Sequence, residues 1–89
     1  GKTVLITGGA KRIGRAVAER LAVAGADIVI HYNRSEAEAA DTVRALEAMG
    51  VRAWTCAADL ADGEQTEGLF AAAVSKAGPI DVLINNASI

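Results

Sequence analysis

An α/β fold, a parallel sheet with helices on both faces, is predicted by three features of the sequence. Short apolar runs rich in β-branched residues alternate with longer segments whose apolar residues recur at helical spacing. The order is strand then helix, three times over, closing on a strand, and glycines punctuate the junctions. The hydrophobic content of 52% comes mainly from Ala, Val, Leu and Ile, which suits buried strands covered by small-residue helices.

Each element carries its own signal. Thr3-Val4-Leu5-Ile6 is a buried parallel strand that Thr7-Gly8-Gly9 turns out of the sheet. From Ile13, the residues Ile13, Ala16, Val17, Leu21 and Ala24 recur as the apolar stripe of a helix, which Gly25 closes. Asp27 to Tyr32 reads as the second strand. Ser35 with Glu38 three residues later matches a capping box, and Ala39, Val43, Leu46 and Met49 carry a second helix to Gly50. Arg52 to Ala57 is the third strand. Asp62 with Gln65 opens a third helix with the stripe Leu69, Phe70, Ala73, Val74 and Ala77, and Gly78-Pro79 ends it. Ile80 to Ile84 gives a fourth strand running into Asn85-Asn86. No linker, repeat or low-complexity stretch interrupts residues 1–89, which read as one unit.

Charge and composition narrow the function. Net charge is only −2, yet Lys2, Lys11, Arg12, Arg15 and Arg20 crowd the first twenty positions against the single Glu19. This local excess points to a small anionic ligand. Nucleic acid is not the expected partner, because stacking would have to come from Tyr32, Trp54 and Phe70 alone. No apolar run approaches the roughly 20 residues of a membrane span, and no targeting segment is visible, so a soluble, cytoplasmic protein without a membrane partner is expected. The lone Cys56 has no partner for an internal disulfide and reads as a small buried strand residue.

The segment with chemical content is Thr7-Gly8-Gly9-Ala10-Lys11-Arg12-Ile13-Gly14, between a strand and a helix. Glycine lets a ligand approach the main chain, and unpaired N–H groups with partial positive charge at the helix start favour an anion. A nucleoside triphosphate loop would need Lys and then Ser or Thr after its last glycine, but Gly14 is followed by Arg15-Ala16. The common dinucleotide spacing G-x-G-x-x-G fails too, because Lys11 occupies its middle glycine position.

Thr7-Gly8-x-x-x-Arg12-Ile13-Gly14, Asp59-Leu60 and Asn85-Asn86-Ala87-Ser88 together resemble the short-chain dehydrogenase/reductase family, and the resemblance spans essentially the whole chain. It implies a Rossmann-type doubly wound sheet. Two departures stand out: Arg12 and Ser88 occupy positions where the family commonly has Gly. The Ala-Lys-Arg-Ile-Gly-Arg wording, His31-Tyr32-Asn33-Arg34-Ser35 and the Asn-Ala-Ser ending look like the pteridine reductase branch.

Cofactor preference can be read at the end of the second strand. An acidic residue there would bind the ribose hydroxyls of NAD and repel a 2′-phosphate; this chain has Asn33, Arg34 and Ser35 instead, with Lys11 in reach from the glycine-rich turn. Two charge-assisted bonds favour NADP(H) over NAD(H) by roughly 10²–10⁴ fold. The expected cofactor contacts are therefore Gly8, Lys11, Arg12, Ile13 and Gly14 at the turn, and Asn33, Arg34 and Ser35 beyond the second strand. By resemblance, Asp59 and Leu60 lie at the adenine, Asn86 and Ala87 at the ribose, and Ser88 toward the nicotinamide. Ser35 also suits a helix cap, Asp59 a turn start, and Asn85 a tie between loops. His31 reads either as a satisfied structural histidine or as a pocket contact; nothing around it suggests a metal.

The resemblance implies that the catalytic Ser, Tyr and Lys of such an enzyme come after the fourth strand, so no catalytic residue is assigned here. Tyr32 falls in the cofactor-selecting segment, and Lys76 reads as a charge complementing a helix end. The expectation is an N-terminal, cofactor-binding portion of a longer NADP(H)-dependent reductase, homotetrameric when complete, acting on a pteridine or small carbonyl compound. The alternatives are a 3-oxoacyl-thioester reductase and a non-catalytic NADP-binding regulatory module.

Overall fold

Buried apolar strands can satisfy their backbone groups only by pairing with one another, and in this chain four of them do so in one sheet. The computed structural model describes residues 1–87. Strands β1 (Thr3–Thr7), β2 (Asp27–Tyr32), β3 (Ala53–Ala57) and β4 (Val82–Asn85) alternate with helices α1 (Arg12–Val23), α2 (Glu36–Ala48) and α3 (Gly63–Ala77). All pairings are parallel, in the order β3-β2-β1-β4. The chain thus grows outward from β1 through β2 to β3, then crosses back to lay β4 on the other side of β1. This is the doubly wound α/β sheet expected from the sequence.

Alternation along the strands divides the core into two layers. Val4, Ile6, Ile28 and Ile30 point toward α1 and α2 and pack with Ala18, Ala22, Ala39 and Leu46. Leu5, Val29 and Cys56 point the other way, onto Leu69 and Ala73 of α3. Each fully buried Leu, Ile or Val in these layers contributes about 1.5–3 kcal/mol. Burial pushes the Cys56 thiol above its ordinary value, partly opposed by the nearby Lys76 charge. Lys76 lies in the last turn of α3, as a charge complementing the helix end would, and its Nζ also donates to the Thr55 carbonyl at 2.6 Å.

Three local expectations need correction. The face of α1 that meets the sheet is Gly14, Ala18 and Ala22, whereas Ile13 is 72% exposed and Ala16 and Ala24 are exposed as well. Small residues won because they let the helix axis lie close to the strands. On α2 and α3 the predicted stripes are likewise too wide: Met49, Phe70 and Val74 face outward. The capping box does not form; Ser35 stands at the N-cap of α2 with no side-chain cap bond, and Glu38 pairs with Lys11 at 3.9 Å instead.

Asp62 does cap α3, accepting from the N–H groups of Glu64 and Gln65. Strand β4 starts later than the apolar run because Asp81 is engaged beside it: its carboxylate accepts the Thr3 N–H at 2.8 Å and its own N–H donates to the Thr3 carbonyl at 2.9 Å. At the same edge of the sheet, the Arg52 backbone N–H and guanidinium hold the Asp27 carboxyl below its ordinary value. No helix among the described residues is long and apolar enough to cross a membrane.

Candidate functional site

Because the strands are parallel, their carboxyl ends share one edge, and an open cleft lies there where β4 turns back beside β1. Its volume is about 640 Å³, and it is lined by Gly8, Lys11, Arg12, Ile13, His31, Asn33, Asn86 and Ala87. Seven of these eight are residues that the sequence singles out for cofactor contact. They come from three strand ends and one helix start.

The turn from β1 to α1 is pinned from β2, α2 and β4. Gly8 adopts φ +65°, open to glycine at no steric cost. Its N–H donates to His31 Nδ1 at 2.9 Å, and its carbonyl accepts from Asn86 Nδ2 at 3.1 Å. The Gly9 N–H donates to the His31 carbonyl at 3.1 Å, and Thr42 of α2, fully buried, donates its hydroxyl to the Ala10 carbonyl. Thr7 Oγ1 accepts the N–H groups of Asn86 and Ala87 and donates to Asn85 Oδ1 at 3.0 Å, so Asn85 ties the end of β4 to β1 as expected.

Gly14 is where α1 touches this turn. A methyl group there would collide with the Gly8 carbonyl oxygen and come within 2.8 Å of Asn86 Nδ2 and Gly9 Cα. Upstream, Lys11 is the N-cap of α1 and provides no side-chain cap, and no acidic residue sits in the first turn. Among the described residues, the N–H groups of Arg12, Ile13 and Gly14 have no acceptor. Unpaired amides, a helix start and adjoining cations give this end of the cleft the chemistry that suits an anion.

Arg12 sits at φ +57°, the one non-glycine among the described residues in the left-handed region. The position where the resembled family carries Gly is therefore one that wants Gly, and the arginine holds it at a cost of order 1 kcal/mol. The basic excess seen in the sequence does not stay together in space. Arg15 bonds Glu19 and Asp41, Lys2 lies at the opposite edge of the sheet, and only Lys11 and Arg12 line the cleft. Neither Arg12 nor Arg34 enters an ion pair among the described residues.

Four expected contacts stand along the same edge without lining the cleft. Arg34 and Ser35 occupy the bend after β2, with Arg34 exposed. Asp59 opens the turn after β3, its Oδ1 accepting the Ala61 N–H and its own N–H donating to Gln65 Oε1. Leu60 faces an apolar groove with Leu69, Phe70 and Leu83, toward α3. Ser88 lies outside the described residues. Among the described residues no cluster of His, Cys, Asp and Glu could hold a metal ion.

Sequence reading passed over Thr7 and Thr42 as site-building residues. A hydroxyl in the last strand position before a glycine turn signals the first; nothing in the sequence pairs Thr42 with Ala10. His31 is at once satisfied and in the cleft. A carbonyl can only accept and an amide N–H can only donate, so the bonds to Ala58 O at 2.8 Å and from Gly8 N–H assign the neutral Nε2–H tautomer.

Residues 2–89 match the family model described as short chain dehydrogenase. A putative dehydrogenase from Burkholderia cenocepacia with bound NADP superposes with a TM-score of 0.91 at 44% identity, over 94% of this chain and 33% of that one. The FolM alternative dihydrofolate reductase 1 from Brucella canis, complexed with NADP, gives 0.92 at 40% identity, over 100% of this chain and 36% of that one. An L-rhamnose 1-dehydrogenase (NAD(P)(+)) from Sphingomonas sp. is 43% identical over 100% of this chain and 35% of its own length. The chain thus spans about a third of the length of these relatives.

Proposed function

This chain belongs to the short chain dehydrogenase family, and from that premise we propose that it is the NADP(H)-binding part of a longer oxidoreductase. The observation that carries the reading is the seat at the start of α1: unpaired amides, Lys11 and Arg12 beside it, and a Gly14 contact too tight for a methyl group. Those features fit a dinucleotide, whose pyrophosphate needs main-chain donors at close range. When bound, the nicotinamide supplies hydride transfer; the residues here bind and orient it.

The preference for the phosphorylated cofactor rests on the residues just past β2. Asn33 lines the cleft where a carboxylate would repel a 2′-phosphate, and Arg34 and the uncapped Ser35 hydroxyl stand next along the chain. Lys11 reaches the same side, although its amine is shared with Glu38. Asp59 and Leu60 fall to the adenine, and Asn86, Ala87 and Ser88 to the ribose and nicotinamide side. NADP in two of the similar solved structures supports the same choice. Titration of the full-length protein with NADPH and NADH tests it: NADPH binds more tightly by tenfold or more, and Arg34→Ala removes most of that margin. Equal binding, or a preference that Arg34→Ala leaves intact, refutes this mechanism.

The substrate reading is a pteridine or a small carbonyl compound. The likeness to the dihydrofolate reductase from Brucella canis supports the pterin and that to the L-rhamnose 1-dehydrogenase a small carbonyl compound, and a screen of pterins, sugars and 3-oxoacyl thioesters with the full-length enzyme separates the classes. The complete enzyme is proposed to act as a homotetramer, which sedimentation would check.

A further inference from the structure

We propose that His31 is a positioning residue for the dinucleotide, holding the glycine-rich turn in its binding shape through the acceptor at Nδ1. The inference rests on the NADP(H) reading and adds a determinant that never has to touch the phosphates. His31 is 2% exposed, on the last residues of β2, and one ring spans two strand ends: Nδ1 takes the Gly8 N–H at 2.9 Å and Nε2–H goes to the Ala58 carbonyl at 2.8 Å. Its own carbonyl takes the next amide, Gly9 N–H, at 3.1 Å.

Both amides of the double glycine are thereby turned inward, toward β2. What remains pointing at the anion seat is the set of amides from Arg12 to Gly14. That division depends on Gly8. At φ +65° with no side chain on Gly8, the Thr7–Gly8 peptide plane that carries this N–H is free to tilt once the acceptor is lost, while the Gly8–Gly9 plane stays tied to the His31 carbonyl. Tilting the Thr7–Gly8 plane turns φ at Gly8 and so loosens the placement of the Gly8 carbonyl against Asn86 Nδ2 and of the surface on which Gly14 is seated. A residue behind the turn thus sets the geometry in front of it, as outer partners orient the direct contacts of a ligand site.

The two ring nitrogens can be tested separately. Asparagine places an acceptor one bond beyond Cγ, where Nδ1 stands, and cannot reach Ala58; glutamine places a donor near the Nε2 position and offers nothing to Gly8. NADPH affinity and ligand-free melting temperature are to be measured for full-length wild type, His31→Asn and His31→Gln. The expected result is wild-type affinity within about threefold for His31→Asn and a loss of about tenfold or more for His31→Gln, without a matching difference in melting temperature.

Equal affinity in the two variants, or losses that simply track melting temperature, overturns the proposal while leaving the NADP(H) reading intact. Absence of NADPH binding by wild type refutes that reading, and this inference falls with it. If His31→Gln does not fold, nitrogen-15 spectra of wild type carry the test. Saturating NADPH must then shift the Nδ1 and Gly8 amide signals together, and signals that stay fixed overturn the assignment.

Discussion

Replacing Gly14 by alanine should destabilise this protein, against the ordinary preference of helices. In a helix interior Gly→Ala stabilises by roughly 0.5–1 kcal/mol. At Gly14 the new methyl would collide with the Gly8 carbonyl oxygen and sit 2.8 Å from both Asn86 Nδ2 and Gly9 Cα. Two of these three neighbours are backbone of a turn already pinned by His31 and Thr42, so they cannot yield cheaply. Overpacking of that kind costs about 1–3 kcal/mol, which exceeds the propensity gain. Gly68, inside α3, has open space at its Cβ position and is the matched control. Thermal unfolding of the full-length protein should show Gly14→Ala melting several degrees lower, at about 2–4 °C per kcal/mol, and Gly68→Ala melting slightly higher. NADPH affinity should fall only in the first variant. If both substitutions raise the melting temperature alike, the close approach of α1 to the turn is not what holds this corner together.

Arg12→Gly relieves a left-handed backbone at a non-glycine residue and should raise unfolding free energy by up to about 1 kcal/mol while weakening NADPH binding, since the guanidinium leaves the cleft; calorimetry reads both. Asp62→Ala removes the one helix side-chain cap among the described residues and should cost about 1 kcal/mol in urea unfolding, with cofactor affinity unchanged. The Asp27 carboxyl is held below its ordinary value chiefly by the Arg52 backbone N–H. Its contribution is therefore present at neutral pH and lost as pH falls below the ordinary carboxylate range toward the lowered folded value. Asp27→Asn should flatten that acid limb in denaturation scans, by less than about 1 kcal/mol for so shallow a pair.

Strands and helices were legible because periodicity and turn residues agree with the final packing: β2 spans the same residues in sequence and structure. The cleft was legible because its parts are local, a glycine-rich turn and short runs after strand ends. The inward face of α1 was not, since alanine and glycine carry little hydropathy and the larger Ile13 drew the stripe one face round. The capping box was not legible either: its spacing is present, but Ser35 makes no side-chain cap bond and the Glu38 carboxylate lies 3.9 Å from Lys11, a partner 27 positions away. The bonds of Thr42 and His31 to the turn join residues 32 and 23 positions apart, and no one-dimensional pattern records such pairs.

The return of β4 to the far side of β1 means that the pocket is closed off on one side by residues far apart in sequence, with Thr7 meeting Asn86 across 79 positions. That is the costliest loop to close in this sheet, although the penalty grows only logarithmically with length. A nascent polypeptide that has made β1 to β3 carries the turn but not the amide of Asn86 that braces it, and should ignore nucleotide until β4 docks. Cofactor capture by this architecture would then report on docking of β4, and nucleotide present during synthesis would act as a late brace rather than as a template.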